Sequence, residues 1–119
     1  MVRMISVFGL KPGCDPEEAY RLWKEKHTQF AKEVYLPELR KYTIHRVIET
    51  FTDADGFGKG KPYGVAQFLF DDLESARRAV NRMVTRSSDH LDPFANEYVL
   101  NPRRMLVEEE EIELPTGRE

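Results

Sequence analysis

The chain has one cysteine, one tryptophan, only three histidines and no apolar run long enough for a membrane span. Each shortage removes a class of protein. Cys14 alone cannot close an internal disulfide, and it stands in a Pro/Gly/Asp turn rather than a CxxC pair. A disulfide scaffold is therefore excluded, and a reducing, cytoplasmic setting is expected. The apolar part of "MVRMISVFGLKPG" is too short to cross a bilayer and lacks a convincing cleavage site, so no export signal is expected. His27, His45 and His90 are widely spaced with no HxxxH pair, which leaves no metal site to expect. No Rossmann, flavin, haem or nucleotide motif occurs. The glycines of "TDADGFGKGKP" have the wrong spacing for a phosphate loop and lead into a strand, so no cofactor is expected. An excess of positive charge is missing too. With a formal net charge of -3 and a pI near 5.7, neither nucleic acid nor an anionic membrane is an expected partner.

What is present suits one soluble globular domain: 119 residues, 40% hydrophobic and 33% charged. Val2 to Leu10 is rich in β-branched and aromatic residues and ends at the turn cluster "KPGCDP", the pattern of a first strand. Asp15 is a suitable N-cap, Pro16 fits the first helical position, and Glu17 and Glu18 suit the positive end of a helix dipole. The following apolar positions are Ala19, Leu22, Trp23, Phe30, Ala31 and Val34, and His27 fills the gap between Trp23 and Phe30 on the same inner face. Pro37 closes this helix, because a residue before proline avoids the helical region.

"KYTIHRVIETF", from Lys41 to Phe51, alternates as a second strand, with Tyr42, Ile44, Arg46 and Ile48 on one face and Thr43, His45, Val47 and Glu49 on the other. "YGVAQFLF", from Tyr63 to Phe70, reads as a third strand antiparallel to it. "DDLESARRAVNRMV" carries an apolar stripe of Leu73, Ala76, Ala79, Val80, Met83 and Val84 behind an Asp cap, so a second helix follows. A polar connection with a helical turn near Asp89 to Ala95 leads to a fourth strand in "RRMLVEEEEI". The order β-α-β-β-α-β predicts an α+β, ferredoxin-like domain over residues 1–112: a four-stranded antiparallel sheet with two helices on one face. Residues 113–119 are expected to form a mobile acidic tail. A sheet with apolar residues on both faces is costly to leave open to water, so a homodimer through the sheet faces is expected.

The turn and helix "KPGCDPEEAYRLWKEKH", then "LPELRKYTIHRV", "YGVAQFLFDDLESARRAV" and "RRMLVEEE" resemble, in that order, the EthD-type family of dimeric α+β barrel proteins. The resemblance implies the ferredoxin-like dimer. The family's namesake is linked to oxidative degradation of an alkyl ether, and fungal relatives look like decarboxylase or dehydratase partners in polyketide pathways. Related small barrels include 4-methylmuconolactone methylisomerase and olivetolic acid cyclase, which do acid–base chemistry on cyclic or aromatic substrates without a cofactor. In the methylisomerase a helical His and a Tyr at the start of the second strand border the pocket. His27 and Tyr42 resemble that pair, whereas Trp23 follows the EthD pattern.

An imidazole near pH 7 can take or give a proton, which suits His27 to acid–base catalysis; a structural histidine bonded to a backbone carbonyl is the competing reading. The Tyr42 phenol could stabilise an oxyanion, or the ring could simply pack as a strand aromatic. Trp23, Phe30 and Phe68 suit the walls of a substrate pocket, a role close to that of ordinary core. His90, beside Asp89 and Asp92, could close over a ligand or stay exposed. The expected activity is a cofactor-independent lyase or isomerase acting on a small cyclic, aromatic or polyketide-like molecule. A non-catalytic binding protein for an oxidative pathway and a cofactor-free monooxygenase are the alternatives.

Overall fold

The computed structural model describes residues 1–51, 61–87 and 93–116. Its elements run β1 (Val2–Leu10), α1 (Pro16–Leu22), a π-helical turn (Trp23–His27), α2 (Thr28–Tyr35), β2 (Leu39–Arg46), β3 (Gly64–Phe70), α3 (Leu73–Ser87), α4 (Pro93–Tyr98) and β4 (Val99–Glu108). The strands form one antiparallel sheet in the order β2-β3-β1-β4. This is the ferredoxin-like α+β arrangement, with β1 and β3 at the centre.

The start of α1 follows from its sequence. The Asp15 carboxylate accepts from the Glu17 N–H at 3.1 Å, and Pro16 occupies the first turn. The end of α2 follows too, since Leu36 before Pro37 is extended. On β1 the even residues Met4 and Phe8 are buried, and on β3 the even residues Gly64, Ala66, Phe68 and Phe70 are buried. These side chains meet Ala19, Trp23, Phe30, Ala31 and Val34 from the first helical segment and Ala76, Ala79 and Met83 from α3. Each large apolar side chain fully buried in this layer contributes about 1.5–3 kcal/mol.

The other face carries the odd residues of the central strands. The register aligns Thr43, Gln67, Ile5 and Met105 in one row, and His45, Val65, Val7 and Arg103 in the next. His45 therefore lies opposite the helix side, as its alternation with Tyr42 predicts.

Several strand bounds differ from the sequence pattern, among them the end of β2 and the start of β4. β2 ends at Arg46 rather than Phe51, and Ile48 and Phe51 are 94% and 90% exposed. β4 begins at Val99 rather than Arg103, because Leu10 and Gly9 of β1 extend the ladder to Val99 and Leu100. The helical turn predicted from Asp89 is α4, beginning at Pro93. Among the described residues no helix is long and apolar enough to cross a membrane, and no cluster of three or more His, Cys, Asp or Glu side chains is arranged to hold a metal ion.

Candidate functional site

The helix carrying Trp23 and His27 is not regular. Between α1 and α2 the Thr28 N–H bonds to the Trp23 carbonyl, five residues back, which makes the Trp23–His27 segment a π turn. The Thr28 hydroxyl donates to the Lys24 carbonyl and reinforces the irregularity. A π turn adds a residue to the helical circuit and widens it, a distortion common at functional sites. Trp23 is fully buried and His27 half-buried.

Gly64 makes room for the indole. A Cβ there would lie 2.7 Å from Trp23 Cη2 and Cζ3 and 2.8 Å from Phe8 Cζ, so the tryptophan rests directly on the β3 backbone. Phe8 meets Trp23 edge to face at 5.0 Å, and Phe94 of α4 stacks on it at 6.2 Å with planes 10° apart. The His27 ring lies 5.3 Å from Phe94 and 6.3 Å from Phe30. Shape-complementary aromatic packing of this kind fixes the rings while leaving their edges available.

Beside them lies a small cavity of about 40 Å³. Its interior is narrow. The helical wall consists of Trp23, His27, Phe30, Ala31, Tyr35 and Met83, the sheet wall of Met4, Ser6, Phe8, Ala66 and Phe68. Phe94, Ala95, Val99, Pro102 and Arg104 close the third side. The β1–β4 register explains that side: two steps on β1, from Val7 to Gly9, face three on β4, from Arg103 back to Leu100. The extra β4 residue is a bulge, and Asn101 within it has φ 51°. Beyond the bulge Arg104 pairs with Ser6 and Leu106 with Met4, which keeps Arg104 in phase with the core-facing residues although it is exposed.

Of the expected site residues, Trp23, His27, Phe30 and Phe68 come together at this cavity. Tyr42 is on the same side of the sheet but is not among the lining residues. Its ring stacks on Phe68 at 4.5 Å with planes 15° apart, and its hydroxyl oxygen is shielded from solvent. His90, with Asp89 and Asp92, lies outside the described residues. Sequence reasoning missed Ser6, Phe94 and Arg104. Phe94 carried no periodic signal, because α4 spans only six residues. Arg104 did carry one, since strict alternation in "RRMLV" aligns it with Leu106.

The electrostatics separate the cavity from its surroundings. Among the described lining residues none is acidic. The indole Nε1 of Trp23 is buried with no hydrogen-bond partner, an arrangement that costs about 1–3 kcal/mol unless a ligand or water accepts from it. Outside the cavity, the Tyr63 hydroxyl and the Arg46 guanidinium are paired. The Tyr63 hydroxyl donates to the Pro16 carbonyl at 2.7 Å, and burial pushes its phenol pKa up. Arg46 donates to both oxygens of Glu17 at 3.1 Å. The chemical capacity of the site is thus one imidazole, several donors and an aromatic wall.

Comparison with known proteins places the whole architecture. The EthD domain matches residues 11–97, well over half of the chain. No curated protein sequence matches. Among solved structures, an ethyl tert-butyl ether D (EthD) family protein from Bacillus halodurans is 20% identical, with a TM-score of 0.63, covering 92% of this chain and 99% of that one. A dimeric protein of ferredoxin-like fold from Bacteroides fragilis is 14% identical, with a TM-score of 0.59 and coverages of 90% and 94%. SnoaB, a cofactor-independent oxygenase from Streptomyces nogalater, is 12% identical, with a TM-score of 0.59 and coverages of 93% and 94%. At these identities the solved structures establish a shared fold, while the domain match spans the turn, the Trp23–His27 helix and the central hairpin. This chain belongs to the EthD family.

Proposed function

We propose that this EthD-family protein is a cofactor-independent enzyme that moves a proton on a small cyclic or aromatic molecule, with His27 as the acid–base group. The observation that carries the reading is the position of His27: a half-buried imidazole bordering an incompletely filled, largely apolar cavity. A ring-bearing substrate would lie against Trp23 and Phe94, where aromatic faces supply shape without reacting. His27 would take a proton from an acidic C–H or O–H of the substrate and return it at another atom or to a leaving group. The first outcome is an isomerisation and the second an elimination, and both conserve protons without a redox partner. Tyr42 acts one layer out in this reading, holding Phe68 flat against the substrate.

The protein is further proposed to work as a homodimer through the open sheet faces. Ile5, Val7, Val65 and Leu69 give that face an apolar centre, and Met105 beside them is 45% exposed. The ferredoxin-like relative from Bacteroides fragilis is dimeric. Val65→Asp is expected to convert the dimer to a monomer in analytical ultracentrifugation; a chain that sediments as a monomer before substitution overturns this part.

The enzyme reading is tested on a panel of enolisable cyclic ketones, lactones and phenolic acids by NMR in deuterated water, following proton exchange and product formation. His27→Gln is expected to lower turnover by about 10²-fold or more while circular dichroism stays unchanged. Full activity in His27→Gln removes the imidazole from the mechanism. Stoichiometric oxygen uptake with product formation reassigns the site to cofactor-free oxygenation, and tight binding with no turnover by any panel member reassigns it to a binding protein.

A further inference from the structure

We propose that the cavity takes its ligand as a monoanion, a small ring-bearing carboxylate, with the charge held by Arg104 and Ser6 and the ring against Trp23 and Phe94. The inference rests on the cavity being a ligand site, and it adds the chemical class of that ligand.

The first ground is the polar composition of the lining. Ser6, Trp23 and Arg104 all offer hydrogen-bond donors, and no described lining residue is a carboxylate. Such a surface repels a cationic ligand and attracts an anionic one. The second ground is pairing. Arg3, Arg40, Arg46 and Arg82 each meet a carboxylate elsewhere in the molecule. The Arg104 side chain has no hydrogen bond or ion pair among the described residues, and neither does the Ser6 hydroxyl. The Trp23 Nε1, fully withdrawn from water, also has no partner. Three donors of different kinds without partners among the described residues thus belong to residues lining one cavity.

The third ground is geometric. Ser6 and Arg104 face each other across the β1–β4 ladder. Directly opposed residues hold their Cβ atoms about 4.5–5.5 Å apart, a span that one carboxylate bridges with an oxygen for the hydroxyl and another for the guanidinium. A dianion such as a phosphate monoester calls for more positive charge than one arginine supplies. The interior is narrow, about 40 Å³, so a single ring enters only as the flexible Met83 side chain gives way.

Trp23 is the only tryptophan, so its fluorescence reports on the cavity directly. The probes are benzoate and its neutral isostere benzamide, titrated into the full-length protein and into Arg104→Gln, with Arg77→Gln on exposed α3 as a control. Benzoate is expected to change Trp23 emission saturably and to bind about tenfold or more tighter than benzamide. Arg104→Gln is expected to abolish that preference by weakening benzoate far more than benzamide, with the circular dichroism spectrum unchanged. Arg77→Gln is expected to behave as the parent. Equal affinity for the two probes, or a benzoate preference that survives Arg104→Gln, overturns the anion assignment while leaving the cavity as a neutral-ligand site. If neither probe perturbs Trp23 emission, in protein whose Trp23 emission does respond to unfolding, this inference and the ligand-site reading fail together.

Discussion

The two helical segments over the sheet pack against it by opposite means. α3 is one regular helix of 15 residues, and its buried positions Ala76 and Ala79 are small, with Met83 at the cavity. The first segment is broken by the Trp23–His27 π turn and buries its largest ring there. Small residues at helical spacing let α3 lie close to the sheet and leave little unfilled space. A bulky indole in a widened turn cannot be packed round so completely, and the gap beside it is the cavity. One segment supports the fold, and the other supports it while leaving a space that chemistry can use.

The contrast extends to how each segment is tied down. Arg82 of α3 donates to the Val34 and Leu36 carbonyls at 2.8 and 2.9 Å and to both oxygens of Glu38, at 3.0 and 3.1 Å. It thereby satisfies carbonyls that the end of α2 leaves free and clamps the two segments together. This clamp sits at the far end of the segment from the π turn; the other end is tied by Tyr63 to the Pro16 carbonyl, by Arg46 to Glu17 and by the packing of the Trp23 ring.

The largest expected effect breaks the contrast at its centre. Trp23→Ala should cost about 3–5 kcal/mol, measured by urea denaturation with circular dichroism, because it removes the ring joining Phe8, Tyr63 and Phe94. Gly64→Ala approaches the same ring from the sheet. It should cost about 1–3 kcal/mol by the same assay and shift Trp23 fluorescence, since the added methyl must displace the indole.

Arg82→Gln tests the clamp rather than the rings and should cost about 1–2 kcal/mol, moderated by the partial exposure of Arg82. A pH series sharpens it. Hydrogen bonds from Arg82 hold the Glu38 carboxyl at about 2, against an ordinary value of 4.5. A depressed folded-state pKa stabilises the protein above the ordinary value, and that stability drains away as pH falls from about 4.5 toward 2. Melting temperature should therefore fall over that interval in the parent and fall less in Arg82→Gln. The smallest effect comes from the outer side of the regular helix. Val84, like Leu73, is expected in the buried stripe but is exposed, 59% for Val84, because it falls at the stripe's edge; it should tolerate alanine within about 0.5 kcal/mol in thermal melts.

Element types and order were legible because they rest on local rules. The Asp15-Pro16 start, the stop before Pro37, the alternation of β3 and the stripe of α3 each arise from residues within a few positions of one another. The same periodicity put Trp23, His27 and Phe30 on an inner face, where they lie. It did not show the π turn, whose extra residue leaves no mark in the pattern of residue types. Nor did it separate Tyr42 from the cavity: alternation chose the correct side of the sheet, but Tyr42 stacks on Phe68 without lining the cavity.

By itself the sequence determined the fold class, the central inward positions of each element and the presence of an imidazole beside a tryptophan. These follow from hydrophobic spacing and capping, which act over a turn of helix or a pair of strand residues. Only the tertiary structure decided that Phe94 closes over Trp23, that a β4 bulge is followed by Arg104 opposite Ser6, and that a gap remains among them. Those outcomes depend on the meeting of segments some seventy or more residues apart, through strand register and the leftover volume of imperfect ring packing, and neither quantity is encoded at any single position.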